Sequence, residues 1–148
     1  EERLKSASLA VEYGYKVAFH FDPVIYYSNW EREYEEVIGE LLNRVPAGSI
    51  AWISLGTLRF PGKLKEIARE RFPQSLIFEE EFVKAWDGKF RYPKPLRLKI
   101  YKKFKDLFQA QGLSGRLYLC MESPEVWQEV KETNKKGKLL ASPFSWLN

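Results

Sequence analysis

An apolar strand that runs into polar residues and then into a helix occurs three times in this chain. The sequence predicts strands over 16–24, 49–56 and 116–123, with helices that start near Ser28, Pro61 and Pro124. Strand–helix repeats of this kind build parallel sheets, whose functional sites lie at the carboxyl ends of the strands. We therefore expect an α/β fold with a mostly parallel sheet, flanking helices and a site along one sheet edge.

Length and composition set the class of protein. With 148 residues, 45% of them apolar and 16% aromatic, the chain is expected to form a single globular domain over 1–148. No apolar run approaches the roughly 20 residues that span a bilayer, so no membrane partner is expected. The single cysteine excludes an intrachain disulfide and fits a cytoplasmic location.

Helical periodicity is clearest between the first two strands. Ser28 and Glu31 are spaced as a capping box, and apolar residues then recur on one helical face up to Val45. A shorter helix from Pro61 is predicted to turn an apolar face inward, and another helix is predicted to begin at Pro95. The inward face of the shorter helix is predicted to hold Leu64, Ile67, Ala68 and Phe72.

A β-hairpin is predicted to interrupt the repeat near residues 76–93. The segment 75–83 has the composition of a strand, and Asp87-Gly88 between two aromatic runs is a hairpin-turn signal. The last residues, 139–148, are apolar enough to dock on the body of the fold.

The ends of the first two strands carry candidate site residues. His20 and Asp22 are two positions apart, so both point to one face of the strand. They are interpreted either as an acid–base or ligand-holding pair, or as groups that bond the backbone of the turn. Gly56, between Ser54 and Thr57, either lets a ligand approach the backbone or forms an ordinary turn.

The third strand ends in Cys120, Glu122 and Ser123. Cys120 is interpreted as a reactive thiol or, alternatively, as a small core residue, and Ser123 as the cap of the following helix. His20, Cys120 and Glu122 together are candidates for a polar cavity. One cysteine and one histidine cannot supply the ligands of a zinc site or an iron–sulfur cluster, so no metal site is expected in this chain.

Charge is distributed unevenly along the chain. Nine lysines or arginines and one acid lie between Lys84 and Lys105, whereas five glutamates and one arginine lie between Glu31 and Glu40. In the hairpin region, cations alternate with aromatic residues, a pattern suited to phosphates and bases. The alternative is a solvated basic face over buried aromatic rings. The candidate contacts to DNA are Lys89, Arg91 and Tyr92.

Blocks of sequence, in order along nearly the whole chain, resemble the carboxyl-terminal half of spore photoproduct lyase-like radical SAM proteins. The most distinctive are Gly14-Tyr-Lys-Val-Ala-Phe-His-Phe-Asp-Pro, Ile50-Ala-Trp-Ile-Ser-Leu-Gly-Thr-Leu-Arg-Phe, Asp87-Gly-Lys-Phe-Arg-Tyr and Tyr118-Leu-Cys-Met-Glu-Ser-Pro-Glu-Val-Trp. The resemblance implies part of a partial (β/α)₆ TIM-like barrel. It also implies that the parent protein binds S-adenosylmethionine and a [4Fe-4S] cluster to reverse a thymine-dimer lesion in DNA.

Some site residues follow from the resemblance. Asp22 and Pro23 match a segment near the adenine of S-adenosylmethionine, although the lyases have a small apolar residue at the position of Asp22. Ser54 and Leu55 lie at the next strand end, on the cofactor side, and Arg91-Tyr92 matches a pair near the lesion. The three cluster cysteines and the hydrogen-donating cysteine of the lyases belong to an amino-terminal half, so Cys120 does not take that role.

The sequence therefore predicts the carboxyl-terminal portion of a larger radical SAM barrel. The chain opens inside an amphipathic helix and is expected to be cut from a longer protein, with the amino-terminal half of the barrel and DNA as partners. No catalytic residue is assigned to this chain, which alone is expected to bind neither cofactor and to be inactive. The alternative function is a non-catalytic nucleic-acid-binding α/β module.

Overall fold

The computed structural model describes residues 1–132, so the segment 139–148 lies outside the described residues. Within them, none of the helices is long and apolar enough to cross a membrane. The helices are α1 (Glu2–Glu12), α2 (Trp30–Arg44), α3 (Gly62–Arg71), α4 (Lys94–Ala110) and α5 (Pro124–Glu132), and the strands are β1 (Val17–Val24), β2 (Ile50–Thr57), β3 (Arg59–Phe60), β4 (Val83–Lys84), β5 (Phe90–Arg91) and β6 (Leu117–Leu119).

The main sheet is parallel and has the strand order β1–β2–β6. His20 lies opposite Ser54, and Ser54 in turn lies opposite Tyr118. The three predicted strands thus pair with their carboxyl ends at one edge, as strand–helix repeats require. The prediction of an α/β fold with a parallel sheet and flanking helices is confirmed.

One face of this sheet, the helix face, packs against α4. Phe21 of β1 meets the rings of Phe104 and Phe108 at centroid distances of 5.4 and 6.0 Å. Phe104 and Phe108 are fully buried, as is Ile100 one turn earlier on the same helix. Helical spacing of these residues gives α4 one apolar stripe, which the sheet covers.

The hairpin forms a second, antiparallel sheet of order β3–β5–β4. Its turn follows the Asp87-Gly88 signal: Gly88 has φ +76°, and the N–H of Lys89 donates to Oδ1 of Asp87 at 3.2 Å. The predicted strand over 75–83 is wrong, because this stretch forms turns and only Val83 joins β4. Three successive glutamates, 79–81, interrupt its apolar pattern.

Two helix predictions also need correction. Helix α2 begins at Trp30 after Asn29 in the left-handed region, and no side-chain cap bond forms at its start, so the Ser28 capping box is wrong. The predicted inward face of α3 is largely uncovered: Leu64, Ile67 and Phe72 are exposed, and only Ala68 packs on the core. The helical spacing of apolar residues indicates which of them share a face, but it does not indicate whether another element covers that face.

Candidate functional site

The second face of the main sheet, which we call the open face, carries the polar strand-end residues. Asp22 and His20 of β1 alternate with Phe21, so they point away from α4. His20 is exposed, and its ring packs edge-on against Trp52 of β2 at a centroid distance of 4.7 Å. Alternation along β1 places His20 and Asp22 on the same face of the strand, as predicted, and Trp52 is the ring partner of His20.

Asp22 lies directly against Gly56 of the neighbouring strand. A Cβ atom built on Gly56 would come within 2.5 Å of Oδ1 and 2.9 Å of Oδ2 of Asp22. Glycine is thus required here for the close approach of the Asp22 carboxylate, since any larger residue would displace it. The sequence pointed to a close approach at Gly56, and the group that makes it is a side chain of this chain.

Cys120 joins this cluster at the end of β6. Its backbone N–H donates to the carbonyl of Leu55 at 2.6 Å, which extends the β2–β6 pairing to the strand end. Burial raises the pKa of the Cys120 thiol, and the hydrogen bond to Asp22 and the charge of that carboxylate raise it further. The charge of the nearby Arg59 guanidinium and a hydrogen bond with Ser54 lower the pKa of the thiol, but by less, so the net shift is upward.

Arg59 was not predicted as a site residue. Its Nη1 atom is buried and has no hydrogen-bond partner within residues 1–132. A buried guanidinium N–H without a partner is costly, so it is a donor available to an anionic group. The signal in the sequence was a charged residue two positions after a buried strand end.

The other predicted cofactor residues differ in exposure. Pro23 is exposed and follows Asp22 through a cis peptide bond. Ser54 is 2% exposed and Leu55 is 1% exposed, so their side chains are enclosed by the chain itself. Asp22 and Pro23 therefore offer accessible side-chain surface at the strand ends, whereas Ser54 and Leu55 have little.

Glu122 lies in a buried ion pair below the strand ends. Its Oε1 atom accepts hydrogen bonds from Nε of Arg97 at 3.0 Å and from the hydroxyl of Tyr101 at 2.8 Å. The backbone N–H of Thr57 donates to the same Tyr101 hydroxyl, and Nη1 of Arg97 donates to the carbonyl of Tyr92. This network ties the ends of β2 and β6 to α4.

The hairpin residues predicted to contact DNA are anchored to the fold. Arg91 is 5% exposed; its Nη2 atom pairs with Asp87 at 2.5 Å, and its Nη1 donates to the carbonyl of Met121. Burial raises the pKa of Asp87, but the Lys89 N–H and the Arg91 guanidinium outweigh it, so the net shift is downward. Tyr92 is fully buried, and its hydroxyl accepts from the N–H of Tyr26.

Lys89, which is half-buried, and the neighbouring Trp86, which is 85% exposed, give the hairpin tip its accessible surface. Direct contact of Arg91 or Tyr92 with DNA stays a prediction. In this conformation both side chains hold the hairpin at the carboxyl end of the sheet.

Ion pairs neutralise much of the basic segment. Lys99 and Lys103 of α4 pair with Glu31 and Glu35 of α2 at 3.1 and 3.2 Å. Further pairs join Lys94 to Glu129 and Arg97 to Glu122. The two oppositely charged sequence blocks thus face each other across the α2–α4 contact.

Metal ligands are not gathered in the described part of the chain. Among residues 1–132 no group of three histidine, cysteine or acidic side chains is placed to hold a metal ion. The sequence has one cysteine, while protein-bound iron–sulfur clusters use several thiolates. The residues present do not fit a [4Fe-4S] cluster, so no step through such a cluster is assigned to them.

Comparison with known proteins gives the family. Residues 1–111 match the family described as spore photoproduct lyase. Over 95 residues the chain is 30% identical to spore photoproduct lyase from Clostridium acetobutylicum, a match that covers 64% of this chain and 28% of that protein.

Solved structures share the fold. A spore photoproduct lyase complexed with dinucleoside spore photoproduct has a TM-score of 0.62 at 19% identity, over 79% of this chain and 36% of the other. The same TM-score, identity and coverage hold for a double mutant of that enzyme with bound AdoMet and dinucleoside spore photoproduct. The chain thus spans about a third of the length of the relatives it matches. With three quarters of its residues inside the family match, the chain belongs to the spore photoproduct lyase family.

Proposed function

We propose that this chain is the carboxyl-terminal part of a radical SAM DNA-repair lyase of the spore photoproduct type. The family match over residues 1–111 is the observation that carries this proposal. In the proposed protein, the open face and the strand ends form one wall of the cavity for AdoMet and the lesion. The cluster ligands belong to a part of the protein outside this chain, so the chain positions ligands and performs no radical step.

The donor set at the strand ends fits AdoMet. When bound, AdoMet supplies the carbon-centred radical chemistry of this enzyme class. The exposed carboxylate of Asp22 can accept hydrogen bonds from its amino or hydroxyl groups, and the unpartnered Nη1 of Arg59 can donate to its carboxylate. The side chains of Ser54 and Leu55 are enclosed, so we assign AdoMet contacts only to their backbone. Both residues also hydrogen-bond to Cys120, which lies beside Asp22.

The test is the AdoMet affinity of the full-length protein with Asp22→Ala and Ser54→Ala combined. We expect a loss of about tenfold or more, because hydrogen bonds that involve a charged group contribute about 1.5–3 kcal/mol. The control combines Glu36→Ala and Ser6→Ala, which removes the same two groups from α2 and α1. Equal affinities for both variants and the unsubstituted protein would show that neither the Asp22 carboxylate nor the support of the Ser54 hydroxyl contributes to AdoMet binding.

A second candidate is a non-catalytic nucleic-acid-binding module. The exposed Trp86 at the hairpin tip, with Lys84 and Lys89 beside it, is the observation that favours this function. Phosphate contacts predict that binding of DNA by this chain alone weakens steeply as salt rises. Salt-independent binding, or none, would refute the module.

A further inference from the structure

A groove outside the open face lies between α3 and the hairpin sheet. Its volume is about 550 Å³, within the range of about 300–1,000 Å³ that is usual for ligand pockets. Phenylalanine rings and cationic side chains line it together. The lining residues used below are Phe60, Phe82, Phe90, Lys63 and Lys65, and we call this site the α3 groove.

The floor of the α3 groove is aromatic. Phe60 and Phe90 stack at a centroid distance of 6.0 Å and an angle of 19°, and Phe82 meets Phe60 edge-on at 4.8 Å. Phe60 is buried, whereas Phe82 and Phe90 are half-buried and keep ring surface accessible. Gly62 preserves this access, since a Cβ there would approach the Phe90 ring to 3.2 Å.

The rim of the groove carries net positive charge. Lys63, Lys65 and Arg69 face one acidic lining residue, Glu66. Arg69 pairs with Glu79, whereas Lys63 and Lys65 form no ion pair within residues 1–132. Nζ of Lys65 lies 5.6 Å from the centre of the Phe82 ring. Unlike the cations of α4 that pair with α2, these two lysines stand beside accessible ring surface.

We propose that the α3 groove binds an unpaired nucleobase of the DNA strand outside the lesion, with the adjoining phosphates at Lys63 and Lys65. Aromatic faces stack on any base, and cations track the backbone, so the two features together suit single-stranded nucleic acid. Phe90 links the groove to the hairpin, because it lies on β5 and directly follows Lys89. This inference rests on the proposed function, since it extends the path of the same DNA strand.

The experiment measures binding of a labelled thymidine strand of about 12 nucleotides to the full-length protein by fluorescence anisotropy. Phe82→Leu keeps an apolar side chain but removes the ring, and Lys63→Gln with Lys65→Gln removes both charges. The matched control is Lys5→Gln with Arg32→Gln, two exposed cations on α1 and α2.

We expect Phe82→Leu and the lysine variant each to weaken strand binding by about tenfold. The lysine variant should also lower the slope of log affinity against log salt by about 0.7 per lysine. The control should stay within about twofold of the unsubstituted protein, and binding of dinucleoside spore photoproduct should be unchanged in all variants.

The inference is overturned if both groove variants bind the strand as the control does, or if an acidic peptide competes better than the strand. It is also overturned if dinucleoside binding falls as much as strand binding. If the unsubstituted protein does not bind dinucleoside spore photoproduct at all, the proposed function is refuted instead.

Discussion

Glu122→Ala should destabilise the fold by about 3 kcal/mol, because it removes the partner of a buried guanidinium. The Glu122 side chain is 3% exposed and that of Arg97 is 10% exposed, so water cannot replace the lost contact readily. Breaking a buried pair costs about 3–5 kcal/mol. The low end applies, since Oε2 of Glu122 has no partner within residues 1–132 and its removal relieves part of the desolvation.

The assay is urea unfolding of the chain, compared with Glu35→Ala as the control. Glu35 pairs with Lys103 at 3.2 Å but is 58% exposed, so its loss should change the unfolding free energy by less than about 1 kcal/mol. The combined replacement Arg97→Met with Glu122→Met should recover most of the loss, because no buried charge then remains. A Glu122→Ala loss no larger than that of the control, with an unchanged denaturant slope, would refute the reasoning.

Two further predictions concern groups whose pKa is raised. Asp22→Asn should speed the reaction of the Cys120 thiol with an aromatic disulfide severalfold, because it removes the carboxylate that raises the pKa of that thiol. Gly56→Ala should also speed the reaction of the Cys120 thiol, because the new Cβ would displace the Asp22 carboxylate. Unchanged or slower rates in both variants would show that the Asp22 carboxylate does not raise the pKa of the thiol. Burial raises the pKa of Tyr101 most, and the charge of Glu122 raises it further. Above about pH 10, therefore, the tyrosine loses its proton in the unfolded chain but keeps it in the folded chain. The free energy of unfolding should therefore fall as pH rises above that value. In the Tyr101→Phe variant, urea unfolding at a series of pH values should show a less steep fall. Equal slopes of unfolding free energy against pH in the two proteins would contradict this.

The sequence predicted the strands and the turn where local signals suffice. The β1 and β2 segments are apolar runs bounded by polar residues, and Asp87-Gly88 has the chemistry that a hairpin turn needs. The family resemblance rested on the same blocks, so the fold class followed from them.

Tertiary partners decided what local patterns could not. From the sequence, Lys105 is expected to be a surface cation. In the structure it is 1% exposed, and its Nζ donates to the carbonyl of Val130 at the end of α5. Glu122 likewise reads as an accessible strand-end acid, but Arg97 and Tyr101 from α4 enclose it. Whether a charge is buried depends on a neighbour distant in sequence, which periodicity does not reveal.

The sequence predicted where the strand-end residues lie better than it predicted their contacts. His20, Asp22 and Cys120 do reach the same sheet edge, since parallel strands bring their carboxyl ends together. The sequence marked Gly56 as a point of close approach and Arg59 as a charge just after a buried strand end, but it did not reveal that the Asp22 carboxylate fills the space at Gly56 or that Nη1 of Arg59 is buried.

The central claim is that the strand ends of this chain line the AdoMet cavity of a larger enzyme. Photoaffinity labelling of the full-length protein with an azidoadenine analogue of AdoMet, followed by peptide mapping, tests it directly. The account predicts labelling within β1, at residues 20–24, that excess AdoMet prevents and that the Glu36→Ala, Ser6→Ala control retains. Protectable labelling confined to α1, α2 or positions outside this chain would contradict it.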